Sequence, residues 1–519
     1  MTYPPVHPAT HALDATRRAR ELDALASTGT VDLLVIGGGI TGAGVALDAA
    51  ARGLSVVLVE ARDWAFGTSR WSSKLVHGGL RYLASGQVGI AWESAVERHA
   101  LMTAIAPHLV HPLATVVPAL PTMPRSHAAL IGAGYLAADA LRIGARTPAA
   151  VLPRARRVSA AEARRHFPAL SPDGLRGGYL AYDGQLIDDA RLVVTVVRTA
   201  AELGATALTR VRASAVSGSG AVLTDTVTGS SLRLDARAVV NATGVWAGDV
   251  DPSVRLRPSR GSHLVVAASA LGDPTASVTV PVPGSLSRFV FAMPEQLGRV
   301  YVGLTDEDAP GPVPDEPATT DAEVDFLLAT INSALARTLT RDDVLGTYAG
   351  LRPLVDAGGQ TADISRKHLV AVGQSGVVNV LGGKLTTYRR MAQDAVDRAV
   401  AAGELTSARP CPTRTLPLVG AWSRADSASA PSDLPPSLVA RHGGLAGAVV
   451  AAATVTDPLA PVAPGIDVTR AEIEYAVTHE GALDGADVLD RRTRIGLVPG
   501  DADAAREAVA EIVAAALHR

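Results

Sequence analysis

The stretch Val31-Asp32-Leu33-Leu34-Val35-Ile36-Gly37-Gly38-Gly39-Ile40-Thr41-Gly42 decides the fold of this chain. Its first six residues form an apolar run, broken only by Asp32, and glycines follow at once, which is typical of a buried parallel strand. The pattern then predicts a helix over residues 42–52 and a second buried strand over Leu54–Glu60. We therefore predict an α/β protein that begins with a Rossmann-like βαβ unit.

The glycines of this stretch have the spacing GxGxxG at Gly37, Gly39 and Gly42. The first permits a tight turn, the second lets the backbone approach a pyrophosphate, and the third lets the helix lie close to the strand. Ile40 and Thr41 stand where the helix begins and where unpaired N–H groups favour phosphate oxygens. We predict that these five residues bind the pyrophosphate of a dinucleotide.

An acidic residue ends the second predicted strand. Glu60 follows Gly42 by 18 residues, close to the ~20 expected for the carboxylate that binds a ribose hydroxyl. A carboxylate at this place disfavours the 2′-phosphate of NADP, because the charges repel each other. The βαβ unit by itself leaves FAD and NAD as alternatives.

Composition excludes several classes of protein. The formal net charge of −3 provides no basic excess, so we expect no nucleic-acid partner. The single cysteine, Cys411, excludes an intramolecular disulfide and a multi-cysteine metal site, and we predict no metal. No signal peptide and no run of about 18 apolar residues is found, which indicates a cytoplasmic protein. Peripheral contact with the inner face of the plasma membrane, through the apolar run Ala128–Ala138, and a homodimer stay open.

The second half of the chain has other patterns. Residues 260–310 alternate apolar and polar side chains, which predicts an antiparallel sheet in a second domain. Proline, serine and alanine dominate from Arg409 to about Pro435, as in a linker, and residues 436–519 show helical patterns only. A helical C-terminal domain is expected.

One long loop decides between the cofactors. The segment Gly67-Thr68-Ser69-Arg70-Trp71-Ser72-Ser73-Lys74-Leu75-Val76-His77-Gly78-Gly79-Leu80-Arg81-Tyr82-Leu83 closely resembles a segment of FAD-dependent glycerol-3-phosphate dehydrogenases. Trp71 departs from the family, which more often has a small or basic residue there. Four further segments resemble the family, namely Gly261–His263, Gly350–Leu354, Gly382–Arg389 and Asp487–Arg494.

The resemblance implies a particular architecture and reaction. The fold would be an α/β flavoprotein with a Rossmann-like FAD-binding domain, an antiparallel-sheet substrate domain and a helical C-terminal domain. We assign residues 28–140, 187–259 and 345–402 to the first domain, 141–186 and 260–344 to the second, and 403–519 to the linker and third domain. The protein would oxidise sn-glycerol 3-phosphate to dihydroxyacetone phosphate by hydride transfer to FAD and pass the electrons to a quinone or another acceptor. Noncovalent binding of FAD is expected, and covalent attachment at His77 stays open.

The resemblance also implies the residues that act on the substrate. The phosphate dianion would bind Arg81, Arg352 and Arg366, since a guanidinium offers a planar fork of donors. Lys384 would lie near both substrate and flavin. His263 would accept the hydroxyl proton, because imidazole is the side chain best suited to this near neutral pH. Two alternatives stay open: His263 is purely structural, and Tyr82 packs rather than binding the substrate.

The remaining predicted site residues would hold FAD. Thr68, Ser69, Ser72, Ser73 and Lys74 would contact its pyrophosphate or ribityl chain, and Val211 would meet the adenine through its backbone. Three turns would complete the site, formed by His77, Gly78 and Gly79, by Thr243 and Gly244, and by Gly382, Gly383, Lys384, Leu385 and Thr386.

Three other functions compete with this one. A glycerol-3-phosphate oxidase would perform the same first half-reaction and deliver electrons to O₂. An amine or hydroxy-acid flavin oxidase would need a carboxylate clamp and often an aromatic cage, which the arginine-rich set and the 4% aromatic content disfavour. A noncatalytic FAD-bound docking protein would not need Arg81, His263, Arg352 and Lys384 together.

Overall fold

A computed structural model of the chain describes residues 12–79, 86–121, 125–282, 285, 288–355, 368–422 and 433–519, with residues 125–130 described by their backbone. The predictions for Arg81, Tyr82 and Arg366 lie outside these residues. None of the helices in the described ranges is both long and apolar enough to cross a bilayer.

The described residues form both strands and helices. The strands are β1 Val31–Ile36, β2 Val56–Val59, β3 Leu75–Val76, β4 Val110–Pro118, β5 Arg156–Val158, β6 Gly178–Leu186, β7 Thr206–Leu208, β8 Val211–Ser217, β9 Gly220–Asp225, β10 Ser231–Asn241, β11 Leu256–Ala267, β12 Ser277–Pro281, β13 Phe289–Glu295, β14 Arg299–Gly303, β15 Glu307–Asp308, β16 Val344–Val355, β17 Leu369–Val372, β18 Val378–Leu381, β19 Pro461–Ala463 and β20 Ile466–Thr469. The helices are α1 Ala15–Ser27, α2 Ile40–Ala51, α3 Val88–Ala100, α4 Arg125–Gly144, α5 Ala160–His166, α6 Asp189–Glu202, α7 Ala247–Val250, α8 Asp321–Asn332, α9 Tyr388–Ala402, α10 Pro436–His442, α11 Ala446–Ala452, α12 Arg470–Glu480, α13 Gly485–Arg491 and α14 Pro499–Leu517.

The first sheet contains the predicted βαβ unit. Its strand order is β17-β18-β10-β1-β2-β7, and β18, β10, β1, β2 and β7 run parallel. One face packs on α2, α6 and α9, and the other on α1 and the antiparallel strands β8 and β9. Burial on both faces explains why β1 and β2 are apolar along most of their length. Strand β1 is the point where successive strands change from being added on one side of the sheet to being added on the other. A crevice therefore opens at the carboxyl end of β1, and ligands bind at this place in such sheets.

The second sheet contains the predicted antiparallel strands. Its order is β15-β11-β14-β13-β12-β4-β6-β3, with β16 paired to β11 and β5 to β6. Leu264 and Val266 of β11 pack with α8 in the core, whereas Val265 packs with Tyr348 on the other face. His263 shares the face of Val265, since side chains two apart on a strand point the same way. The alternation therefore directs His263 away from α8.

The C-terminal domain contains a short hairpin besides its helices. Besides α10 to α14 it contains the hairpin of β19 and β20, which turns at Gly465 with φ = 77°. Each strand has three or four residues, too few for the alternation to stand out in the sequence. The predicted helical C-terminal domain and the predicted α/β flavoprotein fold are confirmed, and the hairpin is an addition that the sequence patterns did not indicate.

Buried ion pairs fix the C-terminal domain to the first domain. Asp63 accepts hydrogen bonds from Arg491 at 2.6 Å and from both terminal nitrogens of Arg492 at 2.8 Å. Glu480 binds Arg191 of α6 at 2.8 Å. Breaking such a pair leaves an uncompensated buried charge, so the two domains resist separation.

Three strands within the ranges assigned to the first domain pair in the second sheet. Strand β3 pairs with β6, strand β4 pairs with β6 and β12, and strand β16 pairs with β11. Pairing partners more than 60 residues away decide this membership, and a strand carries no local sign of them. The domain ranges stay a prediction.

Candidate active site

The glycine turn after β1 forms the base of the crevice. Gly37 has φ = 109°, and a Cβ atom on Gly42 would lie 1.8 Å from the carbonyl oxygen of Gly37. Strand and helix can therefore approach this closely only with glycine at position 42. Gly39 is the N-cap of α2, so the first N–H groups of the helix face the crevice.

Glu60 lies beside this turn. Its carboxylate accepts hydrogen bonds from the Gly38 N–H at 2.6 Å and the Arg62 N–H at 2.8 Å. Burial raises the pKa of this carboxyl, and the two backbone donors oppose that change. The acid is thus fixed at the end of β2, next to the predicted pyrophosphate turn.

The turn after β10 closes the crevice on its other side. A Cβ on Gly37 would lie 2.6 Å from the carbonyl oxygen of Ala242, so the two turns are in contact. Buried Asn241 accepts from the Thr243 hydroxyl at 2.7 Å and donates to Asn379 at 2.8 Å. Gly244 follows with φ = 60°, and a Cβ there would have no atom within 4 Å. The structure therefore leaves open space beside Thr243 and Gly244.

The long loop lies over both sheets. The Ser69 hydroxyl accepts from the Ile40 N–H at 2.9 Å, and the Thr68 hydroxyl donates to the Leu351 carbonyl at 2.6 Å. Trp71 stacks on Tyr348 with ring centroids 5.9 Å apart and lies under the Arg70 guanidinium. The tryptophan that departs from the family therefore packs between the Tyr348 ring and the Arg70 guanidinium.

Ser72 and Lys74 are committed to contacts within the protein. Asp189 Oδ2 accepts from the Ser72 N–H at 2.9 Å, the Ser72 hydroxyl at 2.7 Å and the Lys74 ammonium at 3.0 Å. The same ammonium donates to the carbonyl oxygens of Arg70 and Ser72. Its three protons are thus used and its side chain is buried, so in this arrangement the Lys74 ammonium has no further proton to donate to FAD.

His77 and Gly78 are held by an acid that the sequence did not indicate. Asp183 of β6 accepts from the Gly78 N–H at 2.9 Å and from Arg98 at 2.6 Å, and lies 3.7 Å from His77 Nδ1. Burial would raise the pKa of Asp183, but Arg98 and His77 outweigh it and lower the pKa to about 2. An ionised carboxylate therefore fixes this turn.

The glycine turn before α9 meets the same loop. Gly382 and Gly383 both have positive φ, and the Thr386 hydroxyl accepts from the His77 N–H at 3.1 Å. Lys384 binds the Ser94 hydroxyl of α3. The structure thus brings two distant segments of the predicted cofactor set into contact.

His263 lies on β11 facing the long loop. Its Nε2 atom is 2.9 Å from the Ser73 hydroxyl, and its ring stacks on Tyr348 at 4.5 Å. A Cβ on Gly303 would lie 2.2 Å from the ring, so β14 needs glycine there. The Nδ1 atom is buried and has no hydrogen-bond partner among the described residues. Burial, and then the charges of Lys74 and Arg352, lower the pKa of His263 well below its usual value of 6.5.

Arg352 lies on β16, opposite Ser259 of β11. Its guanidinium donates to the Ser259 hydroxyl and Asp306 at 3.1 Å and to the Thr305 carbonyl at 3.2 Å. A Cβ on Gly261 would lie 2.1 Å from this guanidinium, which therefore occupies the space above the glycine. Since His263 is two residues beyond Gly261 on the same face, the structure brings the predicted base and phosphate ligand together.

Val211 is only partly available for its predicted role. Its N–H donates to the Glu60 carbonyl at 2.8 Å, so this N–H would not donate a hydrogen bond to the adenine. A cavity of about 470 Å³ lies beside it, lined by Arg210, Arg212, Ala61 and Arg62 among others.

The sequence did not indicate several residues that bind or pack against the predicted site residues. They are Asn241, Asp183, Arg98, Asp189, Asp306 and Tyr348. Except for Asn241, which is two residues from Thr243, these residues are far along the chain from the predicted site residues that they bind or contact, although the acid pair at the start of α6 is a helix-capping signal.

The residues present fit FAD. The turn offers N–H groups to a pyrophosphate, Glu60 offers a carboxylate to ribose, and glycines leave room along the path. The buried His263 Nδ1 has in addition no hydrogen-bond partner among the described residues.

Comparisons with known proteins identify the family. Residues 32–389 match the family of FAD dependent oxidoreductases, and residues 411–519 match the C-terminal domain of alpha-glycerophosphate oxidase. Glycerol-3-phosphate dehydrogenase 1 of Mycobacterium bovis is 61% identical over 95% of this chain and 97% of its own length.

Two solved structures have a similar fold. The glycerol-3-phosphate dehydrogenase of Bacillus halodurans, complexed with FAD, has a TM-score of 0.74 and 27% identity over 97% of this chain and 94% of its own. The L-alpha-glycerophosphate oxidase of Mycoplasma pneumoniae, at 18% identity and a TM-score of 0.56 over 76% of this chain and all of its own, shares the fold alone. The chain belongs to the family of FAD-dependent glycerol-3-phosphate dehydrogenases.

Proposed function

We propose that this protein oxidises sn-glycerol 3-phosphate to dihydroxyacetone phosphate with FAD, and passes the electrons to a quinone at a membrane surface. The observation that carries the proposal is that a buried imidazole, His263 on β11, and the guanidinium of Arg352 on the adjacent strand β16 lie on the same face of the sheet. A base and an anion ligand on one face suit an alcohol that carries a phosphate.

Arg352 would bind and orient the phosphate. Its contacts with Asp306 and Ser259 hold the fork in one orientation before the substrate arrives, which lowers the entropic cost of binding. A charge-assisted bidentate contact also fixes the direction of the carbon chain. Arg81, Arg366 and Lys384 remain in the proposal as further phosphate or substrate ligands.

His263 would accept the proton of the C2 hydroxyl. Its lowered pKa keeps the ring neutral at pH 7, and the approaching dianion favours protonation because it stabilises an imidazolium. Ser73 fixes the ring orientation through Nε2. FAD, when bound, supplies the acceptor for the C2 hydride. The Gly382–Thr386 turn with Lys384 would supply a positive environment for the added charge.

Anaerobic mixing with sn-glycerol 3-phosphate tests the proposal. We expect the bound flavin to lose its visible absorbance as it accepts the hydride. Added quinone analogue should restore the absorbance faster than O₂ does. Fast recovery with O₂ and peroxide release would instead favour the oxidase, and reduction by glycine or a hydroxy acid but not by glycerol 3-phosphate would contradict the proposal.

The surface formed by α3 and α4 supports the proposed membrane contact. Leu136 and Ile143 of α4 are 76% and 54% exposed, and Val88 and Trp92 of α3 are 58% and 45% exposed. Gly144 lies against the Trp92 ring, so the exposed apolar residues of the two helices form one continuous surface. Ile131, within the predicted docking run, is half-buried. Exposed apolar residues with a tryptophan suit the interface of a bilayer.

Charge substitution on this surface should weaken membrane binding. We expect the variant Leu136→Asp/Ile143→Asp to bind anionic liposomes at least about tenfold more weakly, since two apolar side chains no longer enter the interface. Sedimentation with liposomes measures the change. Val227→Asp, at another valine that is 64% exposed, serves as the control and should bind normally. Equal binding of all three proteins would contradict the docking surface.

A further inference from the structure

The turn Arg70–Lys74 carries the hydroxyl that meets His263, and two other segments hold it. From the first domain, Asp189 at the start of α6 receives three hydrogen bonds from Ser72 and Lys74. Lys74 itself has φ = 55°, which is an uncommon conformation for a residue with a side chain. A turn with this backbone needs its surroundings to hold it.

The second support comes from the C-terminal domain. Arg494 is buried, and its guanidinium donates to the carbonyl oxygen of Arg70 at 2.5 Å and to that of Asp490 at 2.5 Å. It also lies 5.4 Å from the Trp71 ring. A residue 424 positions away in the chain therefore binds the carbonyl at which the turn begins.

Four charged side chains near the turn are buried, namely Lys74, Arg494, Asp188 and Asp189. Asp189 forms an ion pair with Lys74 at 3.0 Å. Burial would lower the pKa of Arg494, but the charges of Asp189 and Asp188 outweigh burial and raise this pKa. Both acids lie at the start of α6, and both bases contact the turn. The cluster therefore fixes the turn relative to α6 and to the C-terminal domain. Between the two supports, Ser73 directs its hydroxyl to His263 Nε2 at 2.9 Å.

We propose that Asp189 and Arg494 are positioning residues for the reaction, which hold the turn Arg70–Lys74 so that Ser73 fixes the His263 ring. The C-terminal domain is on this view a part of the substrate site. The inference rests on the proposed function, in which His263 accepts the substrate proton.

Arg494→Lys and Asp189→Asn test this with the FAD-bound protein. Lysine keeps the charge of Arg494 but loses the fork that spans two carbonyl oxygens. Arg492→Lys is the matched control, because Arg492 is an equally buried arginine two residues earlier that binds Asp63 and the Glu480 carbonyl instead of the turn. Two quantities are measured: the rate of flavin reduction at saturating glycerol 3-phosphate, and hydrogen exchange of a peptide that covers residues 67–76.

We expect Arg494→Lys to slow reduction by about 10- to 100-fold, as is typical of a misplaced catalytic group, with FAD retained. Exchange over residues 70–74 should be faster, whereas Arg492→Lys should keep both quantities within about twofold. Ser73→Ala should reproduce the slow reduction without faster exchange. If Asp189→Asn fails to fold, Arg494→Lys decides.

Wild-type reduction rate or wild-type exchange in Arg494→Lys would overturn the inference. An Arg492→Lys variant as slow as Arg494→Lys would do so too, because domain docking in general would then explain the effect. If glycerol 3-phosphate fails to reduce the wild-type protein, the proposed function is refuted instead. The hydrogen-exchange comparison would still show whether Arg494 stabilises the turn.

Discussion

Replacing His263 by alanine should slow reduction of the bound flavin by glycerol 3-phosphate by about 10²–10⁴-fold, the usual contribution of a positioned general base. FAD occupancy should stay near that of the wild-type protein, because His263 bonds Ser73 and stacks on Tyr348 rather than forming the glycine turn that would hold the pyrophosphate. Stopped-flow absorbance under anaerobic conditions measures the rate.

The pH dependence of this rate separates a base from a structural histidine. The pKa of His263 is depressed well below 6.5, first by burial and then by Lys74 and Arg352. The ring of the free enzyme is therefore neutral above that depressed value and becomes protonated, and inactive as a base, as the pH falls through it. The wild-type protein should lose activity along this acid limb, and His263→Ala should lack the limb.

A second buried histidine offers the control for His263. Burial lowers the pKa of His108 to about 3, and its ring lies against Gly443, away from β11. His108→Ala should lose stability with a near-normal reduction rate in the protein that stays folded. If His263→Ala behaves in the same way, with lost FAD or stability but normal reduction, the base lies elsewhere, and Tyr82 or a bound water becomes the first candidate.

Replacing Arg352 by alanine should raise KM strongly and lower kcat/KM by about 10- to 150-fold, since a hydrogen bond to a charged group contributes ~1.5–3 kcal/mol. The acid Asp306 would also lose a cationic neighbour at 3.1 Å and repel the phosphate. Arg352→Lys should have an intermediate effect, because it keeps the charge but not the fork. Steady-state kinetics over a range of glycerol 3-phosphate concentrations measures both constants.

Arg260→Ala is the matched control for Arg352→Ala. Arg260 belongs to the neighbouring strand β11, but its guanidinium binds Glu323 of α8 on the opposite face of the sheet. Loss of that ion pair should change stability and leave KM within about twofold. An unchanged KM in Arg352→Ala, or an equal rise in both variants, would remove Arg352 from the phosphate site.

The predictions that the structure confirms rest on local patterns. The run Val31–Ile36 and the glycines after it specify strand, turn and helix without help from the rest of the chain, because apolar periodicity and glycine conformation act over a few residues. The alternation around His263 likewise directs that side chain away from α8. Short strands such as β19 carry too little pattern to be recognised.

The sequence by itself determined the α/β fold, the dinucleotide turn and the family, because these depend on contiguous residues in a definite order. Only the tertiary structure decided that Lys74 is bound to Asp189, that Asp183 holds Gly78, and that Arg494 reaches the carbonyl of Arg70. The physical reason is the distance along the chain: these partners are 115, 105 and 424 residues apart. A buried charge must find an opposite charge or a polar group, but only the packing of the folded chain selects which one.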